Sequence, residues 1–273
     1  MDMPAPLADP AALARNRARA AAAPVLFLHE MARDDLQDRL AMVNRVFKSA
    51  AIISPMPQVW NGLSDGARHL APAEALPLEP QAHDLVVHAM DLHWATDPVG
   101  QLVQCRRALQ PDGLFLGVLF GGRTLQELRA AMGQAEAEVT GGISPRVAPM
   151  AEIRDLGALL QRAGFALPVA DSLPVTVSYP SPLHLMRELR QMGEANALAA
   201  RLRRPTRRQV LLRAVDLYVN AYGDTEGRIP ATFELVVLTG WSPDDSQPKP
   251  LRPGSAKARL ADALGSVETP LGD

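Results

Sequence analysis

The stretch that most limits what this chain can fold into is residues 83–122, HDLVVHAMDLHWATDPVGQLVQCRRALQPDGLFLGVLFGG. Residues 84–90 and 113–120 are apolar runs of strand length, and neither alternates apolar with polar positions. A strand apolar on both faces needs cover on both faces, which puts it inside a sheet flanked by helices. Residues 97–109 have helical spacing and suit a crossover between two parallel strands, which winds right-handed. The stretch predicts a βαβ unit of an open α/β sheet.

The rest of the chain supplies the cover. At 273 residues and 47% hydrophobic, it can bury the core of one large α/β domain with an insertion. Leu36, Leu40, Val43 and Phe47 share one face of a helix predicted over residues 30–47, just before a first strand at 50–54. After Gly122 a helix is predicted over 124–140, with Thr124 and Glu127 at capping-box spacing. A glycine-rich loop, 141–146, follows; its Arg146 can meet a carboxylate or a backbone oxygen, or the loop is simply a helix stop. Residues 152–163 read as a helix ended by Gly164. Residues 167–171 and 175–179 read as strands, with Pro174 marking an edge or a break. A helical insert at about 182–222 precedes a last strand, 231–241. Its arginines at 201, 203, 204, 207 and 208 suit either a solvated helix junction or a site for an acidic protein surface or phosphate. The tail, 242–273, is proline-rich and offers a short helix at 255–264.

Charge and cysteine usage exclude several classes of function. A formal net charge of −2 gives no case for nucleic acid or for an anionic membrane. One cysteine, Cys105, rules out an intrachain disulfide and a cysteine-rich metal site, and its helix position suits a small core residue. No run of roughly 18 apolar residues offers a transmembrane segment. Together these point to a soluble cytoplasmic protein. Residues 1–25 form a basic arm with Arg15, Arg17 and Arg19 among alanines. Such a leader is either a mitochondrial presequence or a helical arm over 10–22 capped by Asp9.

Asp84-Leu85-Val86-Val87, Leu92-His93-Trp94 and Leu109-Gln110-Pro111-Asp112-Gly113 resemble the "FDLV…LHW…LkPgG" segment of class I S-adenosylmethionine-dependent methyltransferases. Residues 120–129, 141–146 and 155–157, with Tyr179-Pro180 and Met192-Gly193-Glu194-Ala195-Asn196, are similar to a narrower branch. That branch holds the mitochondrial complex I assembly factor 5 and its bacterial relatives, cousins of the malonyl-carrier-protein methyltransferases. The resemblance covers about 26–241. It implies a class I methyltransferase-like, Rossmann-like doubly wound sheet with a helical insertion before the last strand, covering the substrate. Relatives in the branch also begin with a basic arm, which favours the arm over the presequence.

The cofactor implied by the resemblance is S-adenosylmethionine, and here the chain departs from its superfamily. The acid and glycine-rich turn that follow the first strand are replaced by Ser54-Pro55-Met56-Pro57-Gln58-Val59-Trp60. Two prolines fix φ and remove two N–H donors where glycines let a cofactor approach the backbone. The second strand region, Ala67-Arg68-His69-Leu70, lacks the acid that would hold ribose hydroxyls, and Pro72 stands where an adenine-side acid is expected. Each lost charge-assisted hydrogen bond is worth roughly 1.5–3 kcal/mol. If the site works, Ser54, Met56, Asp91 and Trp94 are its cofactor-binding candidates; if it has decayed, the chain has no cofactor.

His93, just past a parallel strand, suits a general base or hydrogen-bond donor, or else it packs the following helix with Trp94. Asp91, His93 and His88 suggest a carboxylate–histidine metal group. However, strand alternation separates His88 from His93 and no third ligand is in view, so no metal site is expected. Three functions stay open: a methyltransferase acting on a protein or carboxylate, a non-catalytic assembly scaffold, and a protein arginine hydroxylase like the mitochondrial relative. The partner implied is a respiratory complex I subunit or another protein substrate.

Overall fold

The computed structural model describes residues 6–248, so the expected helix at 255–264 lies outside the described residues. Residues up to Pro243 form one unit. Residues 244–248 belong to a second unit, where Asp244 Oδ1 accepts the Ser246 N–H at 2.9 Å in a turn.

The first unit is built on six strands: β1 (Ala50–Ile53), β2 (Arg68–Leu70), β3 (His83–Ala89), β4 (Leu109–Phe120), β5 (Ala166–Tyr179) and β6 (Ile229–Trp241). Their order is β2-β1-β3-β4-β6-β5. The first four run parallel, and β6 enters antiparallel between β4 and β5. The predicted βαβ unit is β3, helix α3 (Pro98–Ala108) and β4. Asp97 caps α3 by accepting the Gly100 N–H at 2.8 Å, and Pro98 occupies its first turn, where a missing N–H costs nothing.

Cover on both faces explains why these strands do not alternate. Ile52, Val87 and Leu116 are in register and face one side, with Leu36 of α2 (Phe27–Met42) and Ala135 of α4 (Gln126–Thr140) in the same buried cluster. Helices α6 (Pro182–Met192) and α7 (Arg208–Tyr222) extend that layer through Leu185, Ala214 and Tyr218. Ala51, Val86 and Phe115 face the other way, against Leu102 and Cys105 of α3 and Leu160 of α5 (Ile153–Arg162). Cys105 is a buried core residue, its thiol pushed up to about 12 by burial. The result is a doubly wound α/β sheet with a helical insert before its last strand, as the resemblance implies.

Three local expectations are corrected. Helix α2 ends at Met42, because Val43 is extended (φ −82°, ψ 111°); Val43 and Phe47 still pack on the core, from an extended chain. Pro174 does not break a strand: β5 is continuous, and as an edge strand it loses no ladder bond at proline. The capping box at Thr124 and Glu127 does not form, and α4 starts at Gln126 behind a left-handed Leu125. Strand β4 stops at Phe120, opposite Leu235, so β6 residues 229–234 have no partner strand on that side. Thr124 Oγ1 instead accepts the Glu234 N–H at 3.0 Å, and Glu127 accepts the Thr232 N–H at 3.2 Å. Buried backbone groups recruit both side chains away from the helix end.

Helix α2 holds its face of the sheet largely through Leu36, which is fully buried. Leu36→Ala is expected to destabilise the protein by roughly 2–5 kcal/mol, read as a lowered urea midpoint with unchanged slope.

Candidate ligand cavities at the mouth of the sheet

Two cavities open where the strands end. The first, about 490 Å³, lies beyond β1, β2 and β3. Ser54, Pro55 and Pro57 wall it on one side, Leu70 to Glu74 on another, and Asp91 and Trp94 on a third. Its roof is the basic arm, which folds as helix α1 (Pro10–Ala20) and contributes Leu13, Ala14 and Arg17. Sequence makes this helix possible: alanines favour it, Pro10 sits in its first turn, and Asp9 accepts the Ala12 N–H at 3.1 Å. The segment after α6 then fixes it, through Asp9 N–H to Ala197 O at 2.7 Å, Arg201 to Asp9 at 3.0 Å and Asn16 to Ala195 O at 2.8 Å. Arg17 reaches down to ion-pair with Asp91.

The second cavity, about 280 Å³, lies beneath the insert, and Trp94 lines both. Phe120, Leu128, Met132, Met186 and Phe233 make it apolar, and Glu194, Asn196, Arg146 and Arg190 give it polar groups. Glu194 is the connecting residue. Its Oε2 accepts from the Trp94 indole N–H at 2.7 Å and pairs with His93 Nε2 at 3.3 Å. Burial alone would raise its carboxyl, but His93, the Arg17 charge and the Trp94 N–H outweigh that and hold it below the usual range.

Of the residues singled out from the sequence, Ser54, Asp91 and Trp94 line the first cavity. Met56 does not: it is 4% exposed and belongs to the core cluster with Trp60. His93 lines neither cavity. Its side chain is 1% exposed, lies 4.9 Å from the Phe120 ring centroid, and faces Glu194. His93 is thus not open to a ligand, and it acts on its surroundings through Glu194. His88 turns to the opposite side and meets Gln101 at 3.0 Å; among the described residues no group of three potential ligands could hold a metal.

The sequence reading overlooked Arg17, Glu194 and His29. Arg17 lay in an arm treated as separate from the domain. Glu194 lay within the Met192–Asn196 run, noted only for resemblance. His29, on α2, is buried with its pKa pushed down to about 4. Its Nδ1 has no hydrogen-bond partner among the described residues, and no sequence signal marked it.

The residues present do not fit S-adenosylmethionine in the manner of the superfamily. The turn after β1 is Ser54-Pro55-Met56 leading into a short 3₁₀ helix, Pro57–Trp60. The Ser54 N–H is taken by Leu70 O at 3.1 Å, and its hydroxyl accepts the Met56 N–H at 3.1 Å. Strand β2 ends at Leu70 without a carboxylate, and Asp91 is already paired with Arg17. Gly121 and Gly122 do not cradle a ligand either: a Cβ on Gly121 would meet Glu234 at 2.8 Å, and one on Gly122 would overlap Glu152.

Arg146 meets a carboxylate, as its loop allowed. It grips Glu136 with Nη2 at 2.5 Å and Nε at 3.2 Å and also reaches Thr206 at 2.6 Å. The guanidinium, aided by the Ser144 hydroxyl and N–H against an opposing burial effect, holds Glu136 down at about 2. A depressed folded pKa contributes stability above the ordinary value of 4.5 that is lost as pH falls toward 2. Glu136→Gln is expected to cost roughly 1–3 kcal/mol at neutral pH. In urea melts its deficit against the parent protein should shrink from pH 4.5 downward.

Residues 55–117 match the methyltransferase domain family. The arginine-hydroxylase NDUFAF5, mitochondrial, of Danio rerio is 41% identical over 193 residues, 71% of this chain and 60% of that protein. The Homo sapiens protein of the same name is 39% identical over 198 residues, 72% of this chain and 57% of the relative. A malonyl-[acyl-carrier protein] O-methyltransferase of Nitrosospira multiformis is 35% identical over 170 residues, covering 62% and 53%. The matched region thus spans little more than half the length of these relatives. The NDUFAF5 relatives are mitochondrial by name, which overturns the cytoplasmic placement expected from composition. No helix among the described residues is long and apolar enough to cross a membrane. Sheet order, family match and relatives together support a class I methyltransferase-superfamily domain similar to the NDUFAF5-like branch.

Proposed function

We propose that this chain is an arginine-modifying protein of the NDUFAF5 type, acting on a protein substrate during respiratory complex I assembly in the mitochondrial setting of its relatives. The observation that carries this reading is the pair of cavities meeting at Trp94. One lies at the sheet mouth, where open α/β folds bind small ligands, and the other lies under the insert, with room for one substrate side chain. Identity favours arginine modification over carboxylate methylation: 39–42% to the vertebrate NDUFAF5 proteins against 35–36% to the malonyl-carrier methyltransferases. The site's departures from ordinary S-adenosylmethionine contacts support the same preference.

A second reading, a non-catalytic assembly scaffold, is favoured by Pro55 and Pro57 in the turn after β1 and by the ion-paired Asp91. Two measurements separate the readings. Calorimetric titration with S-adenosylmethionine and S-adenosylhomocysteine is expected to show no micromolar binding; tight binding would restore the methyltransferase reading. Pull-down from a respiring cell extract, followed by mass spectrometry of complex I subunits, is expected to recover a subunit whose arginine has gained one oxygen. A gained methylene would mean methyl transfer, an unmodified captured subunit would mean a scaffold, and no complex I subunit would overturn the assembly role.

A further inference from the structure

We infer that the cavity beneath the insert is a cation-recognition site in which Glu194 Oε1 receives the guanidinium of a substrate arginine. This rests on the arginine-modifying reading and adds the residue that would select the side chain. Both bonds to the Glu194 carboxylate use Oε2, one from Trp94 and one with His93. Oε1 has no hydrogen-bond partner among the described residues, on a side chain that is 9% exposed and lines the cavity. A buried carboxylate with one oxygen unserved is a strong acceptor for a charged donor, and a guanidinium delivers parallel N–H groups to it.

The remaining walls suit the rest of such a side chain. Phe120, Leu128, Met132, Met186 and Phe233 offer apolar surface to its methylene stem. The other charges facing the cavity do not oppose the assignment. Arg146 is neutralised by Glu136, and Arg190 is exposed, where solvent screens it. Arg17 is paired with Asp91 and lines the first cavity, not this one, while its charge helps keep Glu194 ionised. Glu194 is therefore the charge at depth. His93 is a positioning residue in this account, because it orients the carboxylate without reaching the cavity.

The chain has three tryptophans, Trp60, Trp94 and Trp241, so three indole N–H resonances report on it. The Trp94 signal, assigned by its loss in Trp94→Phe, sits directly on Glu194. The full chain, labelled with ¹⁵N, is titrated with Nα-acetyl-arginine amide, its neutral citrulline counterpart and Nα-acetyl-lysine amide at millimolar levels. Arginine amide is expected to shift the Trp94 resonance saturably while citrulline amide leaves it in place. A lysine response weaker than that of arginine marks guanidinium selection. Glu194→Gln, which keeps an acceptor for Trp94, should weaken arginine binding by about tenfold or more.

Equal shifts with citrulline, unchanged affinity in Glu194→Gln, or no shift with arginine would each overturn the site. If the variant does not fold, the arginine and citrulline contrast in the parent protein still decides. Recovery of a modified complex I subunit without probe binding would sink this site and leave the proposed function standing. Probe binding without any complex I capture would do the reverse.

Discussion

Strands β3 and β4 are apolar on both faces, and every other element is placed by the need to cover them. Helices α3 and α5 close one side, while α2, α4, α6 and α7 close the other. Entry of β6 antiparallel beside β4 completes the sheet but leaves the start of β6 without a strand partner on the β4 side. Thr124 and Glu127 answer that deficit from the start of α4. The boundary of α4, and with it the floor of the second cavity, follows from a backbone accounting problem in the sheet rather than from helix capping.

The two cavities follow from the same logic. Parallel strands end together, so their carboxyl ends open onto one edge, and the protein roofs that edge twice. The insert roofs one part, and α1 roofs the other by way of Asp9, Asn16 and Arg17. Prolines 55 and 57 and the arginine arm, rather than glycines, enclose the first cavity. Such a wall removes close backbone approach for a nucleoside cofactor and leaves charge to be supplied by side chains.

Much of this was legible in the sequence because burial on both faces leaves a plain pattern. The βαβ unit, the strand at 50–54, the helical arm behind Asp9, the insert and the last strand were all readable from apolar spacing and caps. So was the proline-bearing turn after the first strand, since prolines at 55 and 57 declare their own backbone. Boundaries decided by long-range partners were not legible: Val43 leaving α2, and Thr124 serving Glu234 rather than α4. The site residues divided in the same way. Ser54, Asp91 and Trp94 lie at strand ends, where topology alone puts them on the cavity wall. Met56 and His93 lie beside them in sequence yet turn inward, and nothing local fixes which way a residue after a strand will point. Glu194 and Arg17 come from distant segments and meet Trp94 and Asp91 only through the tertiary fold.

Arg17 touches the electrostatics of both cavities: it pairs with Asp91 in one and helps keep Glu194 ionised behind the other. The seating of a single helical turn therefore bears on carboxylates of two separate walls: its Arg17 pairs with Asp91 and helps hold the Glu194 carboxyl below its usual range. The arm is then a charge carrier shared between two compartments.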